Sequence, residues 1–312
     1  MARERLIHGF DGTELYTQSA GAGPPIVLAD GIGCDGFVWR VLEDILVRKH
    51  QVVRWHHRGH GKSQVPENRG NLGMDALCLD LQAVLDAYDL DQALLVGHSM
   101  GVQLILEYAI REPRRVSGLV PICGSYGRML DTFHDNGLAS AGFPQLYRLV
   151  ADYPDWAQWL WSRLLPTEAV YLYAVTTEVK GSLVRRQDFK PYFDHLARMD
   201  VRVFFEMLER VRHHTVEDRL QQVQAPTLVV AGDRDTFTPV WLSRRMQRLI
   251  PGAELLVVPH GSHAAPLEMP ELIELRLQRF LKERVLPRQR AATATGRGRR
   301  PQSGRHRRAP KR

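Results

Sequence analysis

Cysteine is nearly absent. Cys34, Cys78 and Cys123 are the only three in 312 residues, and they stand far apart. They show neither the close pairs of a metal site nor a disulfide framework, which excludes a stapled secreted scaffold and points to a reducing compartment. No stretch of 18 apolar residues is available to span a bilayer, and the opening MARERLIHGFDG lacks the apolar run of a secretory signal. A soluble, cytoplasmic chain is the expectation. Internal repeats are missing too. Neither G-x-x-x-x-G-K-[ST] nor G-x-G-x-x-G occurs, so no phosphate cradle is implied. No metal or organic cofactor is expected.

Acidic residues are missing from one end. Residues 287–312 carry ten Lys or Arg and no Asp or Glu, leaving 32 basic against 35 acidic groups in residues 1–286. The formal charge of +7 therefore belongs to the tail, and the body of the chain is not basic. A segment of Arg, Pro, Gly, Ser and Thr with almost no apolar residue cannot bury enough surface to offset the entropy of ordering. It is expected to be a disordered basic tail that is dispensable for catalysis, with at most a weak, salt-sensitive polyanion contact. The whole chain is 44% apolar and 25% charged, ordinary values for a folded globular protein.

What is present is an alternation of strand-like and helix-like segments, the pattern of a parallel sheet flanked by helices. Residues 5–10 and 14–19 read as a hairpin around Asp11-Gly12. Residues 26–29, 52–55, 93–96, 116–123, 226–231 and 253–258 are short apolar runs of the kind that buried parallel strands present. Residues 37–47 and 74–88 repeat apolar residues three and four apart, and 272–285 reads as a final amphipathic helix. Residues 126–222 lack strand alternation and read as helical segments broken at Pro144, Pro154, Pro166 and Pro191. The expected organisation is an α/β core over 1–125 and 223–286, a helical cap over 126–222, and the tail.

Gly97-His98-Ser99-Met100-Gly101 matches G-x-S-x-G, a pentapeptide that composition alone would place in roughly one chain in ten of this length. Its context gives it weight. It follows the strand at 93–96 and precedes a helical stretch at 102–110, the setting in which the serine hydroxyl is thrust above the sheet. Arg58-Gly59-His60-Gly61-Lys62-Ser63 is a second short signature, R-G-x-G-x-S, after a core strand. In these motifs and their order the chain resembles the α/β-hydrolase superfamily, over roughly residues 5–286 apart from the cap.

The resemblance implies a triad in the order Ser, acid, His, since a serine hydroxyl needs a base that is itself oriented by an acid. Ser99 is then the nucleophile. Asp235, closing the turn Gly232-Asp233-Arg234-Asp235 after the strand at 226–231, is the acid, with Asp233 as competitor. His263, in His260-Gly261-Ser262-His263 after the last strand, is the base, and His260 is a loop residue. Oxyanion donors are expected from the main-chain N–H groups of Met100 and of Ile32, in the loop Asp30-Gly31-Ile32-Gly33. Asp30 replaces the more usual histidine of the family, leaving any side-chain role there open.

The implied activity is a serine hydrolase that cleaves a carboxylic ester or related acyl bond of a small apolar substrate through an acyl-enzyme. Acyl transfer, perhydrolysis or C–C cleavage by the same triad is the alternative, as is a low-turnover ligand-binding protein. Dehalogenase and epoxide hydrolase chemistry is disfavoured because those relatives carry aspartate where this chain has Ser99. Fifteen of the 25 Phe, Trp and Tyr residues lie between 126 and 215, and they are expected mostly to form the cap's own core, with some facing the serine. Trp39 reads as packing. Oligomeric state is left open.

Overall fold

A computed structural model describes residues 2–177 and 186–288, so residues 289–312 of the basic tail lie outside the described residues. Eight strands form one sheet: β1 Arg3–His8, β2 Glu14–Ala20, β3 Pro25–Ala29, β4 Gln51–Trp55, β5 Ala93–His98, β6 Val116–Ile122, β7 Leu228–Gly232 and β8 Glu254–Val258. Their order is β1-β2-β4-β3-β5-β6-β7-β8. The β1/β2 and β2/β4 pairs are antiparallel and the rest are parallel. This is the expected α/β-hydrolase architecture, and each apolar run read from the sequence sits on one of these strands.

The two faces of the sheet sort the helices. Alternate residues such as Val27, Ala29, Val53 and Leu95 pack under α2 Met74–Ala87, α3 Met100–Arg111 and α10 Val240–Leu249. Their neighbours Ile26, Leu28, Val52 and Leu94 pack under α1 Arg40–Leu46 and α12 Pro270–Phe280, which α11 Ala265–Glu268 precedes. Successive strand residues point to opposite faces, so a strand covered on both sides must be apolar throughout. That is why periodicity was visible in the helices and unbroken hydrophobicity in the strands.

Between β6 and β7 come α4 Met129–Thr132, α5 Leu138–Asp152, α6 Pro154–Leu164, α7 Glu168–Thr177, α8 Arg186–Arg198 and α9 Val201–Val211. Two of the four expected breaks are corrected. Pro154 opens α6 and Pro166 lies between α6 and α7, but Pro144 and Pro191 sit inside α5 and α8. A proline in a helix forfeits one hydrogen bond, at about 3 kcal/mol. In α5 buried packing on both sides offsets that loss: Val150 is buried, and Phe143 stacks on Phe205 of α9 at 5.9 Å. The expected helix at 37–47 is likewise two pieces, a 3₁₀ turn Phe37–Trp39 leading into α1.

Arg58 explains the R-G-x-G-x-S signature. The fully buried guanidinium donates from Nε and Nη2 to Asp80 of α2 at 2.6 and 2.5 Å, and from Nη1 to Asp11 of the first hairpin at 2.9 Å. It also donates to the Asn71 carbonyl at 3.0 Å. Its contacts are all structural. Arg58→Ala is expected to cost about 3–5 kcal/mol in urea unfolding, because it strands the buried Asp80 carboxylate. A loss below 1 kcal/mol would contradict this.

Candidate active site

Four strands deliver the candidate residues at their carboxyl ends, where open α/β sheets bind ligands. β5 ends at His98 and α3 begins at Met100, leaving Ser99 as the joint, with φ 55° and ψ −118°. A non-glycine residue in this region is strained, and the surroundings enforce it. The Ser99 N–H donates to the Ile122 and Cys123 carbonyls at 3.2 and 3.1 Å, while the Ser99 carbonyl accepts from Val102 N–H at 3.0 Å. The flanking glycines serve close approach. A Cβ on Gly97 would lie 2.5 Å from the Gly101 carbonyl oxygen, and one on Gly101 would collide with the Ala29 carbonyl of β3.

β3 delivers the second loop. A Cβ on Gly31 would fall 2.9 Å from Ser99 Cβ, so the backbone before Ile32 lies directly against the elbow. Ile32 lines the cavity above Ser99. Met100 is the first residue of α3, whose opening N–H groups have no partner within the helix. Asp30, buried beneath this loop, accepts from Trp39 Nε1 at 2.6 Å, and its carbonyl accepts from His57 Nε2 at 2.9 Å. Trp39 therefore packs and also anchors the loop, a side-chain link that the sequence left open. Burial pushes the Asp30 carboxyl up to about 7.

β7 and β8 deliver Asp235 and His263. The imidazole Nδ1 lies 3.0 and 3.1 Å from the two carboxylate oxygens, so Nδ1 carries the proton and Nε2 presents its lone pair. Asp235 also accepts from Phe237 N–H at 3.0 Å, Thr238 N–H at 2.9 Å and the Thr238 hydroxyl at 2.7 Å. Burial works to raise its pKa. His263 and the Thr238 donors outweigh burial and hold the carboxyl below its ordinary value. Asp233 and His260, the competitors, are both exposed, and His260 occupies a left-handed turn at φ 57°.

The His263 loop is fastened by residues that no motif flagged. Glu268 of α11 accepts from Ser262 N–H and from the Ser262 hydroxyl, both at 2.7 Å. The side chain of His98 reaches the main chain of His263. These contacts span long sequence separations or fall outside any signature, so spacing offered no signal for them.

A cavity of about 440 Å³ opens above Ser99 and His263. Among the described residues, no Asp, Glu, Lys or Arg lines it. Phe133, Tyr173, Phe189, Tyr192, Phe193 and Phe204 line it from the segment between β6 and β7. Most of the segment's aromatics pack in the hydrophobic clusters, and several of those also face the cavity. Six of the fifteen face the cavity, and Tyr153, Trp156 and Trp159 stand 61, 49 and 55% exposed. The rings also pack on one another: Trp161 lies against Phe204 and Phe205, and Phe189, Tyr192 and Phe193 pack together.

Comparison with known proteins gives the same outline. The model of the alpha/beta hydrolase fold matches residues 24–270. A protein of Azorhizobium caulinodans named as a candidate carbamate hydrolase, RutD, is 27% identical over 280 residues, which span 88% of this chain and 97% of that protein. The solved structure of Est816, described as an N-acyl homoserine lactone degrading enzyme, superposes with a TM-score of 0.68 at 26% identity, covering 88% of this chain and all of that one. An esterase from Exiguobacterium antarcticum superposes at 0.71 with 18% identity over 90% of this chain and 100% of its own, a likeness of fold. No helix among the described residues is long and apolar enough to cross a membrane.

Proposed function

The chain belongs to the alpha/beta hydrolase fold family, and from that premise we propose that it hydrolyses ester bonds through Ser99, Asp235 and His263 by way of an acyl-enzyme. The observation that carries this reading is His263 Nδ1 held 3.0 Å from a buried Asp235, in a cavity whose wall also includes the strained Ser99. His263 Nε2 takes the serine proton as Ser99 Oγ attacks the carbonyl carbon. The proton then passes to the leaving alkoxide as the tetrahedral intermediate collapses. Water, deprotonated by the same nitrogen, attacks the acyl-serine and restores Ser99. Asp235 stays ionised throughout and stabilises the imidazolium. Ile32 and Met100 N–H groups stabilise the oxyanion.

Residues 126–222 act as the cap in this reading, because their aromatics roof the cavity above Ser99. The substrate is a neutral ester or lactone with an apolar acyl part. A carboxylate on the acyl chain would find no cation to pair it among the described residues that line the cavity, and desolvating an unpaired charge costs several kcal/mol. Among p-nitrophenyl esters, kcat/KM is expected to rise from acetyl to a medium chain, and a chain ending in carboxylate should fall at least about a hundredfold below its neutral counterpart. Equal rates for the two would refute this view of the cavity.

The acid is tested separately. Asp235→Asn is expected to lower kcat by about 10⁴, since the amide favours the wrong tautomer of His263. Asp233→Asn, at an exposed position, should stay within a factor of about two, as surface substitutions usually do. The reverse ranking would reassign the acid.

A further inference from the structure

We propose that His98, the residue before the nucleophile, is a positioning residue that fixes the base loop to the nucleophile elbow; this rests on the roles given above to Ser99 and His263. His98 ends β5 and is 3% exposed. Its Nε2 lies 2.9 Å from the main-chain oxygen of His263. A carbonyl oxygen only accepts, so Nε2 carries the hydrogen and donates, and Nδ1 of the neutral ring is a bare lone pair. That Nδ1 is buried without a hydrogen-bond partner, so the ring is held by a single directional bond. Burial lowers the imidazole to about 3, which keeps it neutral, and its tautomer fixed, across the working range.

The place of this bond gives it its consequence. Asp235 orients the imidazole of His263, and Glu268 holds Ser262 from the far side of the loop. Neither touches the elbow. His98 adjoins Ser99 in the chain and grips the backbone of His263, while its ring lies 4.8 Å from the His263 ring, centroid to centroid. Nucleophile and base thus share one joint, and a shift of Ser99 carries His263 with it. Proton transfer needs the two within hydrogen-bond reach, and a misplacement of about 1 Å can cost a hundredfold in rate.

Three substitutions test it. Phenylalanine keeps the ring but has no donor. Glutamine places an amide N–H near the level of Nε2, and asparagine stops at the level of Nδ1. With a neutral p-nitrophenyl ester, His98→Phe and His98→Asn are expected to lower kcat about 30- to 100-fold with KM within threefold, and His98→Gln to recover to within about fivefold of the parent. Fluorophosphonate labelling rates should follow kcat. A residue that merely fills space would separate neither kcat from KM nor Gln from Asn. Should the Phe protein fail to fold, the Gln and Asn pair decides. The proposal is overturned if folded His98→Phe keeps kcat within threefold, or if Gln is no better than Asn. If the parent protein is not labelled by the fluorophosphonate at all, the nucleophile assignment itself falls, and the proposal with it.

Discussion

Replacing Ser99 with alanine should lower kcat for a neutral ester by about 10⁶ and abolish covalent labelling by a fluorophosphonate, while KM changes little. The size follows from the absence of a substitute. Among the described residues, the aliphatic hydroxyls and the thiol on the cavity wall besides Ser99 belong to Ser125, Thr238 and Cys34, and each is engaged elsewhere. Ser125 donates to the Gly127 carbonyl at 2.6 Å, Thr238 donates to Asp235 at 2.7 Å, and burial pushes the Cys34 thiol well above its ordinary value. Only Ser99 stands on the strained turn, against the Gly31 backbone. The remaining rate should come from the oxyanion donors and binding alone, about 10³-fold over water. Full labelling of the alanine protein, or loss of less than a hundredfold in kcat, would move the nucleophile elsewhere.

How much of this site the sequence announced depends on the range of each signal. The elbow was legible because all its requirements are local: a buried strand, two glycines forced by close approach, and a helix start. Asp235 and His263 were legible through strand order, since each follows a strand that reads as an apolar run, and the parallel sheet brings the ends of β7 and β8 to the same edge as β5. Asp233 and Asp235 could be ranked only through the resemblance. The structure supplies the physical difference, an exposed turn residue against a buried carboxylate with four donors.

The unreadable parts are pairings across the fold. His98 and His263 are 165 residues apart and Arg58 and Asp80 are 22 apart, and no periodicity encodes either contact. Asp30 looked like a departure from the familiar loop. Its bond to Trp39 shows the same loop held by a different pair of side chains. The segment between β6 and β7 was legible only in outline. Aromatic density reports only that apolar surface is present, and whether it meets core, cavity or solvent is settled by tertiary packing, as Phe143, Phe193 and Trp159 each illustrate.

Acid should unfold this protein unusually early, because its buried histidines cannot accept the protons that the unfolded chain takes up. Burial, with help from Arg54, pushes His56 down to about 3, and burial pushes His57 down to about 4. His98 falls to about 3 and His60 well below its ordinary value, again chiefly through burial. A histidine with a depressed folded-state pKa contributes its full stability above the unfolded value near 6.5 and loses it as the pH falls towards the folded one. The unfolded chain therefore holds about two protons on these rings at pH 6.5, and nearly four at pH 5, that the native state does not. Two buried acids oppose them. Asp30 and Asp80, raised by burial to about 7 and about 6, are protonated in the native state before the unfolded one, so they add stability as the pH falls. The net rises from about one proton at pH 6.5 to about two at pH 5, or roughly 3 kcal/mol lost across the interval, out of a typical total of about 5–15. Below that, Asp11 and Glu107, whose pKa values ion pairs hold low against burial, add to the loss. Urea unfolding across this range measures it. His57→Gln, which can keep the donor to the Asp30 carbonyl, should remove about one proton from the slope. Stability that is flat or rising between pH 6.5 and 5 would show that these rings are protonated, or reached by water, in the native fold.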